Sequence, residues 1–130
     1  MSTKPIHPLD DTDKAAIARQ LHALFDHWQL SPSQRLAVMG QSEPFGEEVG
    51  VGAEYWRDHL TAKTLERTGH LLAIHASLRT LFPDNIEVAY AWMQTPNKAF
   101  AGTTPVAMIA KSGMPGLLAV REYLSQALGQ

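Results

Sequence analysis

Apolar residues recur at three- and four-residue spacing along most of the chain, which is the repeat of amphipathic helices. The first run predicts a helix that is capped by Asp11, Thr12 or Asp13 and ends at about His27 or Trp28. Its apolar face consists of Ile17, Leu21, Leu24, Phe25 and Trp28. The residues before it contain two prolines and polar neighbours, which predicts a flexible arm over residues 1–12.

The next two helices are predicted from the residues that begin and end them. Ser31 is expected to be the N-cap and Pro32 the first residue of a second helix, which ends at Gly40. Residues 41–52 contain three glycines and a proline, which predicts a loop. A short helix is expected over residues 53–59, where the helical pattern resumes.

A long helix is predicted from Thr61 or Thr64 to Phe82, where Pro83 ends it. Apolar residues occupy more than one of its faces, as expected for a central helix that packs on several sides. These residues are Leu65, Leu71, Leu72, Ile74, His75, Leu78, Leu81 and Phe82.

The segment that follows combines a short helix with a turn. Asp84 and Glu87 have the spacing of a capping box, which predicts that Asp84 opens a helix. Thr95 and Pro96 stop this helix, because proline cannot continue the backbone hydrogen bonds. Gly102 permits the positive φ that a tight turn needs.

Two further helices are predicted at the end of the chain. Thr104 caps the first, Pro105 occupies its first position and Gly113 follows its last residue. Pro115 and Gly116 begin the second. No alternating segment indicates a strand, so the fold class is predicted to be all-α, with about six or seven helices.

Composition is ordinary for a globular protein. The 130 residues, 45% of them hydrophobic and 18% charged, suffice for one substantial core or two small ones. We divide the chain into the arm, a helical region over residues 13–60 and a second region over residues 61–130. No apolar run approaches the roughly 20 residues of a membrane span, so a cytoplasmic protein without membrane contact is expected. The absence of cysteine excludes disulfides, thiol nucleophiles and cysteine-ligated metals.

Charge differs between the two halves of the chain. Residues 1–60 contain nine Asp or Glu and five Lys or Arg, whereas residues 61–130 contain four Asp or Glu and six Lys or Arg. Proteins that bind nucleic acid need local cations to neutralise phosphates. The acidic first half is therefore poorly suited to that role.

Metal and catalytic motifs are missing from the sequence. His22 and His27 are five residues apart, as are His70 and His75, which places the members of each pair about 140° apart around a helix. Neither pair can therefore share a face as helical metal ligands do. The sequence has no GxSxG motif and no glycine-rich phosphate loop with lysine, so no enzyme activity, cofactor or metal is expected.

The C-terminal part of the chain contains Trp92, Pro96-Asn97, Phe100-Ala101-Gly102, Pro105, Gly113 and Val120–Leu124, preceded by Leu65–His75 and Leu81-Phe82-Pro83. In these positions it resembles the toxin-binding domain of Xre/MbcA/ParS-type antitoxins. Residues 30–40 resemble the first helix and turn of the helix-turn-helix that precedes this domain in many antitoxins. The resemblance implies a helical bundle with a degenerate helix-turn-helix-like part and a C-terminal multi-helix toxin-binding domain.

This resemblance implies an antitoxin of a type II toxin-antitoxin system. Its partner would be a RES-domain toxin, an NAD-degrading enzyme whose active-site entrance the antitoxin covers. The candidate toxin-binding residues are Pro96, Asn97, Lys98, Phe100, Gly102, Arg121 and Tyr123. Phe100, like Lys98 and Thr103, lies between two helix boundaries, where we expect side chains to be less committed to the interior. A Phe in such a loop is a plausible interface anchor.

Two other functions remain open at this point. The chain could be a DNA-binding autorepressor that contacts its operator through Gln34, Arg35 and Arg57, or an orphan domain that has lost its toxin. In the relatives a basic recognition helix follows the glycine, whereas residues 41–52 here contain three Glu and no Lys or Arg. Operator binding by the isolated chain should therefore be weak. The many apolar helix faces also predict a homodimer.

Overall fold

The computed structural model describes residues 9–41 and 52–129, and within them it contains seven α-helices, two 3-10 helices and no strand. The α-helices are α1 (Asp11–His27), α2 (Pro32–Val38), α3 (Ala53–Asp58), α4 (Ala62–Leu81), α5 (Ile86–Ala91), α6 (Pro105–Ser112) and α7 (Met114–Ala127). The 3-10 helices are Trp92–Gln94 and Lys98–Phe100. The predicted all-α class is confirmed. In this part of the chain no helix is long and apolar enough to cross a membrane.

Two of the sequence predictions fall largely on residues outside these ranges. The predicted loop over residues 41–52 lies outside the described residues except at its two ends, and so do residues 1–8 of the predicted arm. The arm was expected to reach residue 12, but α1 already begins at Asp11.

Three of the predicted caps are confirmed by their hydrogen bonds. Ser31 caps α2 by a reciprocal capping box, in which its hydroxyl accepts from the Gln34 amide at 3.1 Å. Thr61, the first of the two alternatives for α4, accepts from the amide of Thr64 at 3.3 Å. Thr104 accepts from the Ala107 amide at 3.0 Å at the start of α6. In each case a hydroxyl residue satisfies an N–H that the first helical turn leaves without a backbone partner.

The caps predicted for α1 and α5 are wrong by one residue. Asp10 caps α1, and its carboxylate accepts from the amide of Asp13 at 2.8 Å. Asn85, not Asp84, caps α5, and its amide oxygen accepts from the Val88 amide at 3.2 Å. In both places two neighbouring residues have side chains that can accept the helix amide. Which of them becomes the N-cap depends on the direction from which the chain enters the helix.

One hydrophobic cluster joins the described helices. Helix α4 contacts α1, α5 and α7, while α6 packs on α2 and α7 and α3 packs on α1. The largest fully buried side chains are Leu21, Phe25, Trp28, Met39, Trp56, Leu71, Ile74, Leu78, Met93, Ile109, Leu117 and Leu124. They come from both predicted regions, so the described residues of the two regions share one core.

A pair of glutamines adds a polar link across this core. Gln94, at the end of the first 3-10 helix, donates from Nε2 to the side-chain oxygen of Gln34 at 3.0 Å. The same nitrogen lies 3.3 Å from the carbonyl oxygen of Gln29. Gln94 is therefore bonded both to the turn between α1 and α2 and to the first turn of α2.

Helices α6 and α7 approach each other closely at Gly116. A Cβ built on this buried glycine would lie 2.5 Å from the carbonyl oxygen of Met108, a residue of α6. Only a residue without a side chain fits this distance, because ordinary contacts between such atoms are about 3.5 Å or longer. The close approach fixes the position of α7 against α6.

Candidate functional site

The turn between the first 3-10 helix and α6 is closed by its own backbone. The Asn97 carbonyl accepts from the amides of Phe100 and Gly102, both at 3.0 Å, and the Asn97 amide donates to Thr103 at 3.0 Å. The Asn97 side chain accepts from the Ala99 amide at 2.9 Å. The chain reverses through two residues of positive φ, Ala101 at 58° and Gly102 at 82°. Positive φ at Gly102 was predicted; the same conformation at Ala101 was not.

Three aromatic rings meet beside this turn. Phe100 contacts Tyr123 of α7 edge to face, with ring centres 5.4 Å apart, and contacts Trp92 in the same way at 6.4 Å. The rings of Trp92 and Tyr123 lie 6.0 Å apart and nearly parallel. We call Trp92, Phe100 and Tyr123 the aromatic cluster. Each such pair adds about 0.5–1.5 kcal/mol beyond the area it buries.

The expectation that Phe100 is less committed to the interior is wrong. Its side chain is only 7% exposed, because the turn folds back and presses the ring against α7. The accessible member of the cluster is Tyr123, which is 38% exposed. If a partner contacts this cluster, Tyr123 is the residue it meets first.

The structure brings together some of the candidate toxin-binding residues and separates one of them. Lys98 and Gly102 are exposed on the turn that holds Phe100 against Tyr123. Pro96 is exposed directly before the turn. Arg121 lies two residues from Tyr123, which is about 160° around α7.

Arg121 contacts α4, whereas Tyr123 contacts the two 3-10 helices. The Nη1 of Arg121 lies 2.6 Å from Nδ1 of His70, which is on α4. Arg121 and the aromatic cluster therefore occupy opposite flanks of α7. A partner that covers the turn does not reach Arg121 unless it also crosses the outer face of the helix.

The candidate DNA-binding residues are largely engaged within the fold. Arg35 donates to the Asp26 carboxylate at 2.8 Å and to the Leu30 carbonyl at 2.9 Å. Gln34 is occupied by Ser31 and Gln94. Arg57 is exposed and donates to the neighbouring Asp58 carboxylate at 3.2 Å.

A second ring cluster joins three helices. His27 of α1 stacks on Tyr90 of α5 at 4.3 Å, and His75 of α4 lies 6.4 Å from His27. Burial, then the charges of Arg79 and His27, lower the pKa of His75. Its Nδ1 is buried without a hydrogen-bond partner. Spacing rules compare residues on one helix, so no feature of the sequence indicates that His27 and His75 meet.

This second cluster does not extend to a full set of metal ligands. Within residues 9–41 and 52–129, no three His, Cys, Asp or Glu side chains converge as a metal ion would require. The rings instead line two clefts on either side of His27, with volumes of about 420 and 260 Å³.

Two open grooves lie on the C-terminal helices. One, of about 450 Å³, runs between the turn and α6, with Phe100 and Met108 at its apolar wall and Lys111 at its edge. The other, of about 480 Å³, lies on the outer face of α7 beside Leu118 and Arg121. Leu118 is 44% exposed.

Comparison with known proteins finds a match over this C-terminal part. The profile of the family described as antitoxin Xre/MbcA/ParS C-terminal toxin-binding domain matches residues 77–129, from the end of α4 through α7. All seven candidate toxin-binding residues lie inside this match, whereas Gln34, Arg35 and Arg57 lie outside it, as does the motif at residues 65–75. The chain is also 29% identical over 121 residues to the uncharacterized protein y4oB of Sinorhizobium fredii (strain NBRC 101917 / NGR234), with 91% of each protein covered.

Proposed function

We propose that the protein is the antitoxin of a type II toxin-antitoxin system and that it binds and occludes a RES-type, NAD-degrading toxin. Toxin contact is made by the turn at residues 96–102 together with Tyr123 of α7. The protein itself performs no chemistry in this proposal: it inhibits by covering the entrance of the toxin's active site.

The observation that carries the proposal is the coincidence of the family match with the aromatic cluster. The match covers residues 77–129, and within it Trp92, Phe100 and Tyr123 form a cluster with one exposed ring. Interface hot spots are enriched in Tyr and Trp, especially where a rigid surrounding limits the entropy lost on binding. The hydrogen bonds of Asn97 supply such rigidity in the turn.

The test compares two substitutions on α7 that introduce the same charged side chain. Tyr123→Lys alters the aromatic cluster, and Leu118→Lys alters an equally exposed apolar residue five positions away, about 140° around the helix. Each variant is coexpressed with the product of the adjacent reading frame, which the proposal expects to be a RES-type protein, and the NAD consumption of the purified mixture is measured. Circular dichroism and thermal unfolding of each variant establish that it is folded.

The proposed surface predicts that Tyr123→Lys relieves inhibition while Leu118→Lys leaves it intact. Relief by Leu118→Lys alone would place the toxin on the outer face of α7 and contradict the proposal. Failure of the unaltered protein to copurify with, or inhibit, the adjacent gene product would instead favour an orphan domain.

The alternative of an operator-binding autorepressor has less support in the structure. Gln34 and Arg35 already bond to Gln94 and Asp26, so their side chains must break these contacts before they reach a base or phosphate. Fluorescence anisotropy with the protein's own upstream DNA at about 150 mM salt tests this alternative. Sub-micromolar, sequence-specific binding by the isolated protein would promote it, and light scattering on the same sample tests the proposed homodimer.

A further inference from the structure

The groove between the turn and α6 combines an apolar wall with unpaired cations. Met108, Ala99 and Ala107 form most of the wall, to which the largely buried Phe100 adds only the small part of its surface that stays exposed, and Lys111 lies beside Ser112. Lys98 is exposed on the turn, directly before Ala99, which also lines the groove. Neither lysine forms an ion pair with any residue that the structure describes.

The surroundings of the groove are unusually poor in carboxylates. Residues 88–121 contain no Asp or Glu, although they contain Lys98, Lys111 and Arg121. The elements packed on α6 are α2, α7 and the first 3-10 helix, and among them only α7 contains an acidic residue. That residue, Glu122, is exposed and accepts a hydrogen bond from Gln126 at 3.0 Å. Glu122 is thus the one carboxylate on these described elements, and it forms no ion pair with Lys98 or Lys111, so the two lysines leave a net positive charge around the groove.

We propose that this groove receives an acidic segment of the protein partner. An apolar side chain of that segment packs on Met108 and Ala107, while carboxylates on either side of it face Lys98 and Lys111. Charges arranged in this way raise the rate of encounter and reject basic partners, and the apolar anchor supplies most of the affinity. The inference rests on the proposed function in one respect, because it takes the partner to be the toxin.

The experiment uses defined peptides, so that it does not depend on the toxin. Three short peptides contain one Leu flanked on both sides by Glu, by Gln or by Lys. Each is titrated into the isotope-labelled full-length protein, and backbone amide NMR shifts locate the site and give the affinity. The same titrations are made with Lys98→Gln/Lys111→Gln, and with the control Lys63→Gln, which removes an exposed positive charge in the first turn of α4.

The proposal predicts shifts at Ala99, Ala107 and Lys111 with the Glu peptide. Binding should weaken about fivefold in the double lysine variant and with the Gln peptide, since two exposed ion pairs are lost. The Lys63→Gln variant should bind as the unaltered protein does, and added salt should weaken only the Glu peptide.

Three results would overturn the inference: equal binding of the Glu and Gln peptides, shifts confined to the outer face of α7, or no shifts at millimolar peptide. None of these affects the NAD-consumption test, in which Tyr123→Lys can still relieve inhibition. Conversely, binding of the Glu peptide at the groove stands even if the adjacent gene product proves not to be the toxin.

Discussion

The contact between α6 and α7 at Gly116 leads to a quantitative prediction for Gly116→Ala. The added methyl carbon would lie 2.5 Å from the Met108 carbonyl oxygen and 3.0 Å from Cβ of Ser112. The first distance is about 1 Å shorter than an ordinary contact, and the opposing atom belongs to the backbone of α6, which cannot rotate away. The two helices must therefore separate.

The expected cost follows from two opposing effects. Overpacking of this kind costs about 1–3 kcal/mol, while replacing glycine by alanine in a helix returns up to about 1 kcal/mol. We expect Gly116→Ala to lower the free energy of unfolding by about 1–2 kcal/mol. Because α7 also carries Tyr123, the same displacement should loosen the aromatic cluster and reduce the near-ultraviolet circular dichroism of Trp92.

Gly69→Ala is the matched control. Gly69 lies inside α4, and a Cβ built on it has no neighbouring atom within 4 Å. The helix effect then acts alone and should stabilise the protein by about 0.5–1 kcal/mol. Urea unfolding of both variants, with the slope m unchanged, measures the difference. Equal stabilisation by the two substitutions would show that α6 and α7 are not as close as the structure has them.

Three further predictions concern polar and titrating groups. Arg35→Ala should lower stability by about 1–2 kcal/mol, since it removes hydrogen bonds to the Asp26 carboxylate and the Leu30 carbonyl. In the same urea assay, Arg57→Ala at an exposed position should change the free energy of unfolding by no more than about 0.5 kcal/mol. Gln94→Leu should lower stability by about 1–3 kcal/mol, because the side-chain nitrogen of Gln34 loses its acceptor. An unchanged midpoint would refute this link. Burial lowers the pKa of His75 from 6.5, so between the folded and unfolded pKa values the unfolded chain binds more protons than the folded one. The stability that neutral His75 contributes is therefore complete above about pH 6.5, and it is lost as the pH falls through the folded pKa. Unfolding of His75→Gln should therefore be less sensitive to acid below about pH 6.5 than unfolding of the unaltered protein, and equal sensitivity would contradict the assignment.

Local chemistry made most of the helices predictable. Ser31 with Pro32 and Thr104 with Pro105 begin helices because a hydroxyl accepts a free amide and proline needs no hydrogen bond there. The same reasoning selected the wrong neighbour at Asp10 and Asn85, since it does not include the path of the preceding chain.

The candidate site was less predictable, because its geometry depends on tertiary contacts. The burial of Phe100 results from α7, a helix that begins 14 residues later along the chain. The separation of Arg121 from Tyr123 follows from helical rotation and was available from the sequence. The meeting of His27 with His75 joins two helices whose relative position no local rule specifies.

The bond network of Gln94 bears on how such proteins can exchange parts during evolution. The family match begins at residue 77. Gln94, which lies within it, is nevertheless bonded to Gln29 and Gln34, and the buried side chains of the matched residues belong to the same core as those of α1 and α2. Recombination that joined residues 77–129 to an unrelated N-terminal half would leave this glutamine and the apolar side of α6 without their partners. Inheritance of residues 77–129 with their packing intact therefore requires inheritance of the first two helices, or compensating substitutions where the two parts meet.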